Sequence, residues 1–162
     1  MAYIVTDPIL AVQNIADTST TQKHPLGFIV RATDPTYGAG EFIYLLGVAS
    51  TVVGSAVVWT ATTYQTALAP VGNKLPQPIA VAMSANVASS YGWYQISGMA
   101  VGAKTSALAL ASNAAVGILT VGLFAATGTG KEVQGALTAA KATTPKTVTL
   151  VINRPHMQGR IT

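Results

Sequence analysis

Cysteine is absent from this 162-residue chain, and only 9% of its residues are charged. The missing cysteine excludes a disulfide framework, thiolate metal ligands and a cysteine nucleophile. An ordinary soluble domain has about 25% charged residues, whereas 50% of this chain is apolar. Such a chain buries a sizeable core and leaves more apolar surface than one small fold can hide from water. We therefore expect a subunit of a larger assembly.

Carboxylates are scarce, and none occurs between Phe42 and Lys131. The acidic residues are Asp7, Asp17, Asp34, Glu41 and Glu132. Acid–base catalysis requires titratable groups that converge on one site. Asp34 and Glu41 bracket a glycine-rich turn, and we interpret them as a turn residue and a strand-edge charge. The sequence therefore predicts no catalytic residues, and we expect that the protein is not an enzyme.

No motif in the sequence indicates a metal or a cofactor. The two histidines, His24 and His156, each adjoin a proline and have no carboxylate near them, whereas zinc takes three or four ligands. The segment Gly128-Thr129-Gly130-Lys131 is similar to a phosphate-binding loop. Ala125 and Glu132, however, stand where that motif requires glycine and a hydroxyl residue. We expect no metal site and no cofactor.

Neither nucleic acid nor membrane is an expected partner. The formal net charge is +4, but the basic residues are scattered along the chain, whereas nucleic-acid binders concentrate them on one face. The uncharged run from Phe42 to Trp59 has the length of a transmembrane helix. Its glycine, serine and valine residues favour two strands and a turn instead. The N-terminus lacks the basic region of a secretory signal.

Residues 1–26 differ from the rest because they are polar, rich in threonine and without a sustained period. We interpret them as an extended N-terminal arm that becomes ordered by lying on a neighbour. Residues 27–162 are predicted to form a single β-rich domain. The apolar residues of the arm are candidate contacts with another subunit: Tyr3, Ile4, Val5, Pro8, Ile9, Leu10, Val12 and Ile15.

Short strands dominate the chain from Gly27 onwards. In the stretch from Glu41 to Val48, apolar side chains occupy both faces, which indicates a strand that is covered on both sides. The only predicted helix is a short one over residues 131–141, and Gly135 weakens that assignment. The turn signals predict a mostly β fold, a compact antiparallel β-barrel or β-sandwich of about seven or eight short strands.

Aromatic residues are the other candidates for recognition. Tyr37, Tyr91 and Trp93 are predicted to be core or interface anchors, the usual role of rings on alternating strands. The alternative is a sugar-binding platform formed by Tyr91 and Trp93.

The stretch from Arg31 to Leu45, together with residues 47–55, 80–89 and 91–96, resembles structural proteins of tailed-bacteriophage heads. It is similar to capsid decoration (cement) proteins, small β-rich subunits that bind the outside of an icosahedral shell, often as trimers. The resemblance covers about residues 20–100. It brings no catalytic motif to carry over.

The resemblance implies a structural virion protein on the outer capsid surface, made and assembled in the bacterial host cytoplasm. Its expected partners are the phage major capsid protein and further copies of itself, as a homotrimer. The expected mechanism is additive adhesion, in which the arm spans a seam between capsid subunits and each contact buries on the order of 1,000 Å² or more.

Three alternatives stay open at this point. The first is a receptor- or glycan-binding head fibre or adhesin subunit that uses Tyr91, Trp93 and Tyr37. The second is a hydrolase whose active site, with Asp34 and Glu41, is assembled between subunits. The third is a shell or tail-tube protein.

Overall fold

The computed structural model describes residues 2–8, 12–72, 76–103, 109–143 and 146–159. Within these ranges the chain forms twelve β-strands and no helix. The strands are Ile4–Val5 (β1), Thr18–Ser19 (β2), Ile29–Asp34 (β3), Gly38–Leu46 (β4), Ala56–Trp59 (β5), Thr66–Leu68 (β6), Ile79–Ala82 (β7), Tyr91–Ala103 (β8), Ala115–Thr120 (β9), Leu123–Ala126 (β10), Glu132–Thr138 (β11) and Thr147–Met157 (β12). The prediction of a mostly β fold is confirmed.

Strand β8 is the centre of the sheet, and all its pairings are antiparallel. Its first eight residues pair with β4 along one edge. Along the other edge it meets three strands in succession, namely β2, β7 and β12. From β4 the sheet continues to β3 and β1, from β12 to β11, β9 and β10, and from β7 to β5 and β6. The sheet therefore branches at β8.

The branched sheet is not closed into a barrel, so the predicted barrel of seven or eight strands is wrong in its closure and in its strand count. The additional strands are short: β1 and β2 have two residues each, and β6 has three. A two-residue strand contains no repeat of apolar and polar residues, so periodicity cannot detect it.

The predicted helix over residues 131–141 is also wrong, because most of this segment is strand β11. Val133 and Ala136 are buried in the core, and Gly135 between them has a φ of 77°. The pairing with β12 shifts its register between Gln134 and Ala136. In this pairing the single residue Gly135 lies opposite three residues of β12, 153–155, so the register shift is a β-bulge. At this bulge two buried residues of β11, Val133 and Ala136, stand three apart. That spacing imitates a helical period.

The core consists of three apolar clusters that share strands. The largest contains residues of β5, β7 and β8 and of β9 to β12. A second contains Ile43 and Leu45 of β4, Val57 of β5 and Tyr94 of β8. The third lies on the opposite face of β4, around Phe42 and Tyr44. The prediction that this strand is covered on both faces is confirmed.

Strand β8 changes partners at a local irregularity near Gly98. The pairing with β4 skips one residue of β8, because Glu41 faces Ser97 while Phe42 faces Gln95. Gly98 follows directly and has a φ of 98°. A Cβ atom added at Gly98 would lie 2.4 Å from the carbonyl oxygen of Ala39. Only glycine fits this position, for both conformational and steric reasons.

This irregularity gives a matched stability test. Gly38→Ala is the control, because Gly38 has a φ of 73° and its added Cβ would meet nothing within 4 Å. It should lower the free energy of unfolding by only the left-handed backbone penalty, about 1 kcal/mol. Gly98→Ala adds a backbone clash and should lower the free energy of unfolding by about 2–4 kcal/mol. Urea denaturation of both variants measures the difference. Equal losses would contradict the role assigned to Gly98.

Candidate interaction surface

The acidic residues that could have formed a catalytic pair have separate structural roles. The Asp34 carboxylate accepts hydrogen bonds from the backbone N–H groups of Thr36 and Tyr37, at 2.7 and 3.0 Å, which is the geometry of an Asx turn. It also accepts one from the backbone N–H of Ala2. Burial by itself would raise the pKa of Asp34, but these hydrogen bonds outweigh it and hold the pKa below its ordinary value.

Glu41 is the centre of a small surface ion cluster. Its carboxylate lies 3.5 Å from Arg31 Nε and 3.0 Å from Arg154 Nη2. Both arginine side chains are mostly exposed, so each pair adds little stability. The interpretation of Asp34 as a turn residue and Glu41 as a strand-edge charge agrees with these contacts.

Among the residues that the structure describes, no three histidine or acidic side chains come close enough to hold a metal ion. The same part of the chain has no helix with the length and apolar character of a membrane span.

The described part of the N-terminal arm lies on the chain's own sheet. Strand β1 pairs with β3 at the edge of the sheet, and β2 pairs with the start of β8. Between them the arm covers an aromatic cluster, formed by the rings of Phe42, Tyr44, Tyr91 and Trp93. Phe42, Tyr44 and Trp93 are completely buried. The rings of Tyr44 and Trp93 meet edge to face, with centroids 5.0 Å apart.

Gln13 uses four hydrogen-bonding groups, two toward the aromatic cluster and two toward other residues of the arm. Its backbone oxygen accepts from Trp93 Nε1 at 3.0 Å, and its side-chain oxygen accepts from the Tyr44 hydroxyl at 3.0 Å. Its backbone N–H donates to His24 Nε2 at 3.1 Å, and its side-chain nitrogen donates to the carbonyl of Asp17 at 2.8 Å. Gln13 therefore links the sheet to two other parts of the arm.

The residues predicted as interface contacts in the arm differ in their exposure. Tyr3 and Ile15 are buried in the cluster beneath the arm, and the Tyr3 hydroxyl donates to the carbonyl of Met99 at 2.9 Å. Val5 and Val12 are half-buried against the same cluster. Ile4 is 71% exposed, and Pro8 is exposed as well. Ile9 and Leu10 lie outside the described residues.

The three aromatic residues predicted as contacts also differ in their burial. Tyr37 is half-buried and packs against the aromatic cluster. Tyr91, a half-buried member of that cluster, stacks on Tyr44. Trp93 is fully buried, and its indole N–H donates to the backbone oxygen of Gln13 in the arm. The structure therefore does not place Tyr91 and Trp93 on a common exposed platform.

A different surface carries exposed apolar side chains that sequence analysis did not select. Ladder pairing aligns Ala115 of β9, Leu137 of β11, Val151 of β12 and Met99 of β8 in one row. Leu137 and Val151 are 47% and 49% exposed. The next pair on the same face is Val101 opposite Thr149. We call these six residues the outer face.

The outer face is uncharged and has a charged border. Two residues further along the strands, Arg31, Glu41, Ser97 and Asn153 are aligned in the same way, and this row contains the ion cluster. Beside Leu137 and Val151 the bulge at Gly135 shapes a shallow groove of about 340 Å³. The sequence signal for this surface is the alternation of apolar residues on β12, where Val151 stands between the buried Leu150 and Ile152.

Comparison with known proteins identifies no relative: no family model, no curated protein and no solved structure matches this chain.

The arrangement around Gln13 predicts energetic coupling between the arm and the sheet. Gln13→Ala leaves the buried Tyr44 hydroxyl without its acceptor and should lower the free energy of unfolding by about 1–3 kcal/mol. In a Tyr44→Phe background, Gln13→Ala should lower the free energy of unfolding by about 1 kcal/mol less. A double-mutant cycle in urea measures this coupling. Additive losses would contradict a direct bond between the two side chains.

Proposed function

We propose that this protein is a structural virion protein that binds the outer surface of a bacteriophage capsid, bridges neighbouring major capsid subunits and stabilises the DNA-filled head. The observation that carries the proposal is the outer face, an uncharged patch on four adjacent strands with two half-exposed aliphatic residues at its centre. The resemblance of residues 20–100 to decoration proteins supplies the identity of the partner. The proposed location is the outside of the virion, reached by assembly in the host cytoplasm.

The physical character of the outer face suits adhesion to a protein shell. A patch without charges loses little polar hydration when it is covered, and the exposed side chains gain about 25 cal/mol for each Å² of apolar area removed from water. The border formed by Arg31, Glu41 and Arg154 gives a rim that can orient the contact. Many such contacts on one shell add up by mass action.

The titratable groups support a role other than catalysis. Asp34 is occupied by three backbone N–H donors, and Glu41 is occupied by two arginines. Neither carboxylate is free to act as an acid or a base on a substrate. We therefore also propose that the protein is not an enzyme.

The N-terminal arm also has a role within its own chain. Because the arm covers Tyr44 and Trp93, removing residues 1–24 would expose the aromatic cluster and disturb the fold. Among the described residues that were predicted as contacts in the arm, Ile4 of the edge strand β1 and Pro8 are exposed. We propose that the outer face supplies the principal capsid contact, and that further copies of the chain, as a homotrimer, associate beside it.

Capsid binding is tested with charged substitutions on the outer face. Val151→Asp and Leu137→Asp place a carboxylate at the centre of the contact and should weaken binding to decoration-free phage heads at least tenfold, since an unpaired charge must be desolvated. Co-sedimentation of purified protein with heads measures the affinity.

Val87→Asp is the matched control, because Val87 is 45% exposed but lies outside the outer face. It should bind as the unmodified protein does. If the unmodified protein does not bind heads, the proposed function is wrong. If all three variants bind normally, the assignment of the outer face is wrong. Binding of the protein to a glycan array instead would favour the adhesin alternative.

A further inference from the structure

The N-terminal arm is fixed over the aromatic cluster mainly by single contacts rather than by a continuous ladder. Its two strands, β1 and β2, contain two residues each. Between these strands, Thr6 and Asp7 bond to Arg31 of β3, and Gln13 bonds to Tyr44 and Trp93 in the aromatic cluster. After β2, the backbone N–H of Lys23 donates to the Tyr44 hydroxyl. An element held by few bonds opens more easily than the strands beneath it. The partners of Gln13 therefore contribute directly to holding the arm over Tyr44 and Trp93.

One of these partners is a histidine whose protonation state is fixed by its hydrogen bond. His24 Nε2 accepts from the backbone N–H of Gln13, and a ring nitrogen can accept only when it carries no proton. The ring of His24 also contacts the rings of Tyr44 and Trp93, with centroids 5.1 and 5.4 Å away. The closed arm thus requires the neutral form of His24.

The surroundings of His24 offer no compensation by an ion pair. The titratable groups on the elements around it are Asp17 and Lys23 of the arm, Tyr44 of β4 and Tyr91 of β8. The Asp17 carboxylate accepts from the side chain of Asn14 at 3.0 Å, and burial raises the pKa of Tyr44, which keeps it neutral. Within the described residues, the ion pairs are those of Glu41, and His24 takes part in none.

We propose that the N-terminal arm is a pH-sensitive cover, and that protonation of His24 breaks its bond to Gln13 and loosens the arm from Tyr44 and Trp93. The protonated Nε2 of His24 and the backbone N–H of Gln13 would then both be donors and could not bond to each other. At neutral pH the N–H of Gln13 donates to Nε2. Such a cover would act within the single chain, whatever the outer face binds.

The sign of the effect follows from linkage between protonation and folding. Burial lowers the pKa of His24 below its ordinary value of 6.5. In the window below 6.5 the open arm binds a proton more readily than the closed arm does. The contribution of neutral His24 to closure is therefore fully present above pH 6.5. It is lost as the pH falls through the pKa that His24 has under the closed arm. An attraction between protonated His24 and the Trp93 ring would act in the opposite direction.

The experiment is an NMR titration of the full chain between pH 7.5 and 5.0. The protection factors of the Gln13 amide and the Trp93 indole N–H should fall at least tenfold over this range. The ring signals of His24 should report a pKa below 6.5. His24→Gln offers a side-chain oxygen as a non-titrating acceptor and should keep both protection factors constant. His156→Gln, on β12, should behave as the unmodified protein.

Two results would overturn the proposal. The first is an identical pH profile in the unmodified protein and in His24→Gln. The second is a His24 pKa at or above 6.5, which would show that the protonated ring is accommodated under the arm. Because the second result needs only the unmodified protein, it is decisive even if His24→Gln fails to fold.

Discussion

The structure depends on one constraint, which is that the backbone of the thirteen-residue strand β8 must be hydrogen-bonded on both edges, with β4 covering its first eight residues. One edge is served by β4, and the other is shared by β2, β7 and β12. The irregularity at Gly98 lets the strand turn from one set of partners to the next. As a result, the two halves of β8 carry different surfaces. The first half presents Trp93 to the aromatic cluster, and the second presents Met99 and Val101 to the outer face.

The low charge of the chain follows from this crowded arrangement. Strands β4, β5 and β7 are buried on both faces, so their side chains contribute to two apolar clusters at once. A charged residue on either face would be desolvated without a partner, at a cost of several kcal/mol. The carboxylate of Glu41 avoids this cost because it stands where β4 reaches the surface, beside Arg31 and Arg154. Small residues such as Gly40 and Gly98 let neighbouring backbones approach closely there.

The sequence predicted the parts of the fold that repeat over several residues and missed those that depend on a single position. The continuous apolar run from Phe42 to Leu46 predicted the two buried faces of β4 correctly, because such a run places apolar side chains on both sides of a strand. Strands β1, β2 and β6 are too short for a period, and the bulge at Gly135 replaced the expected alternation in β11 with a spacing that suggested a helix. At the site level, sequence reasoning found the roles of Asp34 and Glu41 from their turn context. Gln13 and His24 carry no such signal, because their partners Tyr44 and Trp93 are distant in the chain.

The N-terminal arm and the outer face show how one chain treats two kinds of apolar surface. Aromatic side chains expose about 150–250 Å² each when uncovered, so a cluster of four cannot remain open to water without a large loss of stability. The chain therefore covers Tyr44 and Trp93 with its own arm. Leu137 and Val151 expose only half of much smaller side chains, a loss that a folded domain tolerates. The outer face can therefore remain exposed across four strands at little cost in stability.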